Sequence, residues 1–432
     1  MSSDTKAFGL WSAVFLGIGS MVGAGIFIVI GQAGAIAGNL VWLSFIVGGF
    51  AALLSGYSLA KLALSYPSRG GIVEYLVQSF GEGVFSGTIG ILFYFSQLIA
   101  LGAVAKSFGV YAATFIQGGE NLTNLFAVGI VVLFIAINFL GASLIAKSEN
   151  IIVFIKVSVL VIFAGIALFY IKPSLLSSSD MLPMKNMMFA VGLTFFAYQG
   201  FSVITNTIED MKNPKTTMMH SMILAILLVG VLYIFTSVAV LGNLPLAEVI
   251  KAKDYALAQA AEPIFGNLGF KIMALTALLA TASAINATLY ATTQIGYTMA
   301  KDGNLPKVYT YRLFQSYEGL IISGILILPL ILFLNLSEVT TIAALVVLII
   351  QGITHVGHLF KIKETGANLP IVLLAALFMF GIAGLMLYHT SKEMPMIGIY
   401  ILFAFGVAFL LEILLRLVTK RVIRPQTNKK II

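Results

Sequence analysis

The stretch Gly19-Ser20-Met21-Val22-Gly23-Ala24-Gly25-Ile26-Phe27 decides how the rest of the chain is read. It lies inside an apolar run, residues 8–37, that is long enough to cross a bilayer. A membrane helix must satisfy its own backbone, and three glycines in the middle of one weaken it. Such an interruption is sustained where unwound backbone lines a site inside the protein. Freed N–H groups and the positive end of the following half-helix can then hold a carboxylate, and freed carbonyls an ammonium. The stretch predicts a broken first span in a chain that carries something across a membrane.

Composition agrees. Of 432 residues, 59% are hydrophobic and 10% charged, with a mean hydropathy of +1.03. A soluble domain carries about 25% charged residues, so the chain reads as an all-α polytopic membrane protein. The first span is Gly-rich and shows no small-residue cleavage site, so it is expected to be retained. Cysteine is absent, which excludes disulfides, thiol catalysis and Cys-ligated metals.

Hydropathy marks about twelve spans: 8–37, 39–66, 83–115, 123–142, 148–172, 184–206, 219–242, 266–300, 318–336, 338–360, 368–389 and 394–419. With the N-terminus in the cytoplasm, most of the 25 Lys+Arg fall inside. They include Lys6, Lys61, Arg69, Lys147, Lys212, Lys215, Lys361 and Lys363, and the tail residues Lys420, Arg421, Arg424, Lys429 and Lys430. Lys172, Lys185, Lys251, Lys253, Lys271 and Lys392 fall outside. The bias places both termini in the cytoplasm and accounts for the net charge of +8 without nucleic acid.

The sixth span has its own glycine interruption, in Phe195-Phe196-Ala197-Tyr198-Gln199-Gly200-Phe201-Ser202. Span 6 begins five spans after span 1. Five is odd, so a second five-span unit would enter from the opposite face. Residues 8–172 and 184–360 fit such a 5+5 inverted repeat, with spans 1 and 6 broken and a binding site between them. Residues 368–419 add two further spans. Residues 67–82 read as a cytoplasmic re-entrant or surface helix, and 243–265 as a helical segment that lids the outer vestibule.

Four motifs, GSMVGAGIF, PSRGG after span 2, EDMKNP at Glu209–Pro214 and AKDGNLPKV at Ala300–Val308, resemble the amino acid–polyamine–organocation superfamily in order and spacing. The stretches GNLPLAEVIKA, EPIFGNLGF and SAINATLY extend the similarity over nearly the whole chain, closest to proton-coupled members. The resemblance implies the inverted-repeat fold of LeuT-type symporters, uptake of free amino acids, and a lysine on span 5 in place of a sodium ion.

The expected substrate site follows. Backbone N–H groups of Gly23, Ala24 and Gly25 receive the carboxylate, and carbonyls of Ser20, Met21, Phe196 and Ala197 the ammonium. Phe196 caps the site, and Tyr198, Gln199 and Gly200 border it. All 17 Asp+Glu lie in loops, at span ends or in span 12 (Glu412), so no buried carboxylate awaits a cationic side chain. Neutral substrates are therefore favoured, and a hydrolytic membrane enzyme is disfavoured.

Lys106 and Lys156 lie within spans, where an ionisable group points to function. Lys156 sits eight residues beyond Ser148, roughly 12 Å deep at 1.5 Å per residue, farther than its side chain can recover by snorkelling. By the resemblance, its ammonium contacts the Gly19 carbonyl and the Ser283 hydroxyl, with Thr281 nearby, and takes up and releases the coupling proton. Lys106 is nearer the outer end, within snorkelling reach. His220, His355, His358 and His389 show no metal-ligand pattern, and His355 and His358 read as lone residues at a cytoplasmic span end.

The expectation is a proton-coupled amino acid symporter of the cell membrane. It needs no cofactor or metal; its partners are an amino acid, protons and lipid. The alternatives are a proton-independent exchanger or facilitator and a transporter-like nutrient sensor.

Overall fold

The computed structural model describes residues 9–140, 143–176, 183–301, 303–313 and 316–419. Lys6 and the basic tail from Lys420 onward, which carry part of the charge bias, lie outside these residues.

Among the described residues sixteen α-helices follow in order: α1 (Leu10–Ala37), α2 (Val41–Ser65), α3 (Ile72–Phe80), α4 (Val84–Ala113), α5 (Thr123–Leu140), α6 (Ser143–Ala167), α7 (Pro173–Leu176), α8 (Met184–Tyr198), α9 (Pro214–Asn243), α10 (Leu246–Lys251), α11 (Ala256–Lys301), α12 (Gly319–Phe333), α13 (Leu336–Leu359), α14 (Ile362–Thr365), α15 (Leu369–Glu393) and α16 (Ile397–Thr419). Ten helical runs among the described residues are long and apolar enough to cross a membrane, and Leu10–Gly23 and α12 are shorter apolar helices. The protein is a multi-pass, all-α membrane protein. The expected spans fall on α1, α2, α4, α5, α6, α8, α9, α11, α12, α13, α15 and α16. The only sheet among the described residues is a two-stranded antiparallel pair, β1 (Arg312–Leu313) with β2 (Ser316–Tyr317), in the loop before α12.

Local chemistry fixes several boundaries. Asn335 and Glu338 form a reciprocal capping box at the start of α13. Pro214 opens α9, where a missing N–H costs nothing. Gly266, at φ 65°, divides α11 into an outer surface helix and the eighth span. A Cβ would be strained in that conformation. The segment 67–82 forms α3, and its Tyr75 and Leu76 are fully buried, so it is packed inside and not laid on the surface.

α1 packs against α8, α2 against α9, and α4 against α11. The crosswise contacts are reciprocal as well: α1 meets α9 and α2 meets α8, while α4 meets α13 and α11 meets α6. Almost the whole of α1 is buried. Large apolar side chains point outward from α5, α6, α12, α15 and α16, Phe154 at 73% exposure and Leu402 at 73% among them. An exposed apolar belt of that extent is what a bilayer covers.

Candidate functional site

The two glycine interruptions turn out differently. The sixth span changes character where expected: its α-helix ends at Tyr198 and continues as a 3₁₀-helix from Gln199 to Asp210. A 3₁₀ run of 12 residues is exceptional, since such runs rarely exceed 3–4 residues and often mark hinges. The expected break in the first span is absent. α1 is one α-helix from Leu10 to Ala37, through Gly19–Gly25.

The reason lies in what the glycines face. A Cβ on Gly25 would run into the carbonyl of Ala197 on α8, and would lie 2.7 Å from the Tyr233 hydroxyl. A Cβ on Gly200 would lie 2.5 Å from the backbone nitrogen of Met21. On Gly19 it would lie 2.8 Å from Val153 Cγ2. The glycines let α1 and the sixth span approach backbone to backbone, which keeps α1 wound. The N–H groups of Gly23, Ala24 and Gly25 lie within this helix and form no open carboxylate cradle in this state.

The same approach brings most of the expected substrate residues together. Ser20 and Met21 lie against Gly200, and Gly25 against Ala197. Phe196 is buried beside them at 9% exposure. Tyr198 turns away: its hydroxyl donates to the Phe45 carbonyl on α2 at 3.1 Å, which makes it a packing residue here. A residue the sequence did not single out bridges the two segments. Tyr233 on α9 donates to the Met21 carbonyl at 2.7 Å, and the Ala197 carbonyl is 3.3 Å from the same hydroxyl. These are two of the carbonyls assigned to the ammonium. A lone tyrosine in the apolar run ILLVGVLYIFTS was the available signal.

Lys156 on α6 is 1% exposed and donates from Nζ to the Gly19 carbonyl at 2.8 Å. A Cβ on Gly23 would lie 3.5 Å from the same Nζ and 3.0 Å from Ala284 Cβ. The ammonium therefore sits where α1, α6 and α11 meet. Ser283, on α11, is buried one residue from Ala284. The Thr281 hydroxyl is spent on its own helix, donating to Ala277 at 2.7 Å. Lys106 donates to Asn124 Oδ1 at 2.6 Å, at the start of α5.

Contacts cross the bundle at both of its ends. At one end, the segment around Lys253–Asp254 lies on α1: Gly31 meets the Lys253 carbonyl, and Gln32 Nε2 donates to Asp254 Oδ1 at 3.4 Å. Burial pushes the Asp254 carboxyl above the usual carboxylate range, opposed by Lys253, Gln32 and Lys106. Tyr111 donates to the Phe27 carbonyl at 3.0 Å. At the other end, Arg69 of PSRGG pairs with Glu209 at 3.4 Å and Asp210 at 3.0 Å, at the end of the 3₁₀-helix.

His355 and His358 are not lone residues. Both are fully buried, and each ring uses both nitrogens.

Comparison with known proteins agrees with this architecture. A family model described as amino acid permease matches residues 8–428. An uncharacterized protein of Methanocaldococcus jannaschii is 34% identical over 98% of both chains. The inner membrane transport protein YbaT of Escherichia coli is 36% identical over 88% of this chain and 89% of its own. The branched-chain amino acid permease BcaP of Bacillus subtilis is 26% identical over 70% of this chain and 68% of its own.

Proposed function

The chain belongs to the amino acid permease family, and from that premise we propose that it is a proton-coupled symporter of neutral amino acids. It is a membrane transporter and not an enzyme. The finer reading rests on one observation: the Lys156 side chain is buried at 1% exposure within a span and donates to a backbone carbonyl of α1. Burying a charge is expensive unless the site uses it.

In this reading, protonated Lys156 braces α1 through Gly19, and proton loss releases it. The substrate site forms from Ser20, Met21, Gly23, Ala24 and Gly25 of α1 and Phe196, Ala197, Tyr198 and Gly200 of the sixth span once the two segments part. There its ammonium takes the Met21 and Ala197 carbonyls from Tyr233. Ser283 lines the lysine site from α11. The reciprocal packing of α1, α2, α4 and α6 with α8, α9, α11 and α13 supports an inverted repeat of 8–172 and 184–360, with 368–419 outside it. The first-span bundle rocks against the rest to alternate access. The basic residues place the termini in the cytoplasm and the protein in the cell membrane, with lipid around its apolar belt.

One proton moving with a zwitterion gains about 2.3 kcal/mol per 100 mV, roughly 1.6 decades of accumulation. The test is radiolabelled uptake by vesicles holding the purified protein, with and without an imposed pH gradient. Wild type accumulates neutral amino acids when the gradient is present; Lys156→Ala exchanges substrate but does not accumulate it. A variant that accumulates at the wild-type rate and pH dependence makes Lys156 structural. Wild-type accumulation indifferent to the gradient makes the protein an exchanger or facilitator.

A further inference from the structure

A second set of buried polar groups lies between α2 and α13, away from Lys156. On α13, Gln351, His355 and His358 occupy one face at i, i+4 and i+7. Ser55 and Ser58 of α2 meet them. The contacts form one unbroken chain. Gln351 Nε2 donates to Gln199 Oε1 at 2.6 Å, at the first residue of the 3₁₀-helix. Ser55 donates to Gln351 Oε1. His355 Nε2 lies 2.9 Å from Ser55 Oγ, and His355 Nδ1 lies 2.9 Å from Ser58 Oγ. Ser58 Oγ lies 2.7 Å from His358 Nδ1, and His358 Nε2 lies 2.9 Å from Thr365 Oγ1 in α14. Thr365 Oγ1 is also 3.0 Å from the Lys361 carbonyl.

Counting donors fixes the protons. Ser55 has one O–H and gives it to Gln351, so it must accept from His355 Nε2–H. If His355 is neutral, its Nδ1 accepts the Ser58 proton, and Ser58 in turn accepts from His358 Nδ1–H. A neutral His358 then accepts at Nε2 from the Thr365 hydroxyl. Every donor and acceptor in the chain is paired, and every donor points from the cytoplasmic end toward Gln199.

Add one proton at His358 Nε2 and the chain closes again. The Thr365 hydroxyl turns to the Lys361 carbonyl, which already lies within reach, and His358 donates both its N–H groups, Nδ1–H to Ser58 and Nε2–H to Thr365. The charge then moves by a paired shift at Ser58: His358 Nδ1–H passes to Ser58, and the Ser58 proton passes to His355 Nδ1. No hydrogen bond is lost in either state. A second added proton leaves the Ser58 hydroxyl with no acceptor, so the chain holds one and rejects two.

The geometry points to a one-proton store and relay, His358–Ser58–His355, that connects the cytoplasmic face at Thr365 with the junction of the sixth span at Gln199. It supplies the inner exit of a proton-coupled cycle, and its transport consequence rests on that proposed reading. Titratable groups on the helices packed around α13 are Tyr57 and Lys61 on α2, Glu74 and Tyr75 on α3, Tyr94, Lys106 and Tyr111 on α4, Lys185 and Tyr198 on α8, Tyr388, His389, Lys392 and Glu393 on α15, and Tyr400, Glu412 and Arg416 on α16. Lys361, Lys363 and Glu364 lie at α14. None is a hydrogen-bond partner of either imidazole.

The tautomers test the store without reference to transport. In ¹⁵N NMR of the full protein in lipid, with His355→Asn and His358→Asn for assignment, His355 is expected as the Nε2–H tautomer and His358 as the rarer Nδ1–H tautomer. Acidification adds one imidazolium charge shared by the pair. The same tautomer at both sites, two independent protonations, or none within the folded range overturns the proposal. In vesicles, His355→Asn is expected to lower gradient-driven uptake by at least about tenfold, as loss of a positioned proton-transfer group does, and to leave substrate exchange unchanged. Equal loss of both activities, or of neither, makes the chain a structural zipper. Wild-type uptake indifferent to the gradient removes the coupled reading, and the NMR result then decides the store by itself.

Discussion

Lys156 and the His355–His358 pair are both buried ionisable sites, one where α1, α6 and α11 meet and one between α2 and α13, and they solve the cost of burial in opposite ways. A lysine ammonium has three donors and no acceptor. It is held by carbonyl oxygen, and its grip on α1 through the Gly19 carbonyl is strongest while the lysine is charged. The neutral histidines are donors and acceptors at once, and Ser58 between them can reverse. Their bonds survive gain or loss of a proton. A site that changes its grip with charge can move a helix; a site that keeps its grip can only pass the charge along.

That contrast can be broken most severely by removing both sites. The double variant Lys156→Ala, His355→Asn is expected to accumulate no more and no less than Lys156→Ala alone, because nothing remains to be relayed. Gradient-driven uptake that persists in Lys156→Ala and is lost only in the double variant would show two independent coupling routes. Gly25→Leu comes next. Its side chain would be driven into the Ala197 carbonyl and the Tyr233 hydroxyl, so α1 and α8 cannot close and substrate binding is lost. Overpacking of this kind costs about 1–3 kcal/mol, and a thermal-shift assay should find the protein folded but destabilised. Wild-type binding by Gly25→Leu would remove this face from the site.

A smaller effect is expected from Tyr233→Phe. It deletes the second bond to the Met21 carbonyl, a loss of about 0.5–1.5 kcal/mol in the closed state. Weaker substrate competition in Tyr233→Phe would contradict the exchange of Tyr233 for substrate ammonium, because freeing the carbonyls should strengthen binding. The smallest effect lies at the outer face. Burial raises the Asp254 carboxyl above its value in water, so closure of this segment is strongest when Asp254 is protonated and weakens as pH rises through the raised value. With no native cysteine, Ala252→Cys, at a position 2% exposed in the closed segment, reports the opening directly. Its maleimide labelling should quicken with pH, and Asp254→Asn should flatten that dependence.

The spans were legible because hydropathy and length are written locally. The junction at Tyr198–Gly200 was legible too, and it is real. The break in the first span was not, because a glycine that permits unwinding looks the same in sequence as one that permits close approach. Only the Ala197 carbonyl against Gly25, and Met21 against Gly200, decide between them. Lys156 stood out by depth alone. The histidines did not, since what completes them is distant: Ser55 and Ser58 lie about 300 residues from His355 and His358 along the chain. Tyr233 was hidden in the same way, its partners being backbone carbonyls that carry no sequence signal.

The 3₁₀-helix from Gln199 to Asp210 has a mechanical meaning. Its 12 residues rise about 2.0 Å each, against about 1.5 Å in an α-helix, so rewinding would shorten the segment by roughly 6 Å. At about 3.0 residues per turn against 3.6, the same rewinding would twist its far end by roughly two-thirds of a turn. That far end carries Glu209 and Asp210, which clasp Arg69. The segment is a wound spring anchored at Gln199 beside the site, and a one-turn retraction at its cytoplasmic tip would pull the Arg69 clasp apart without bending any other helix.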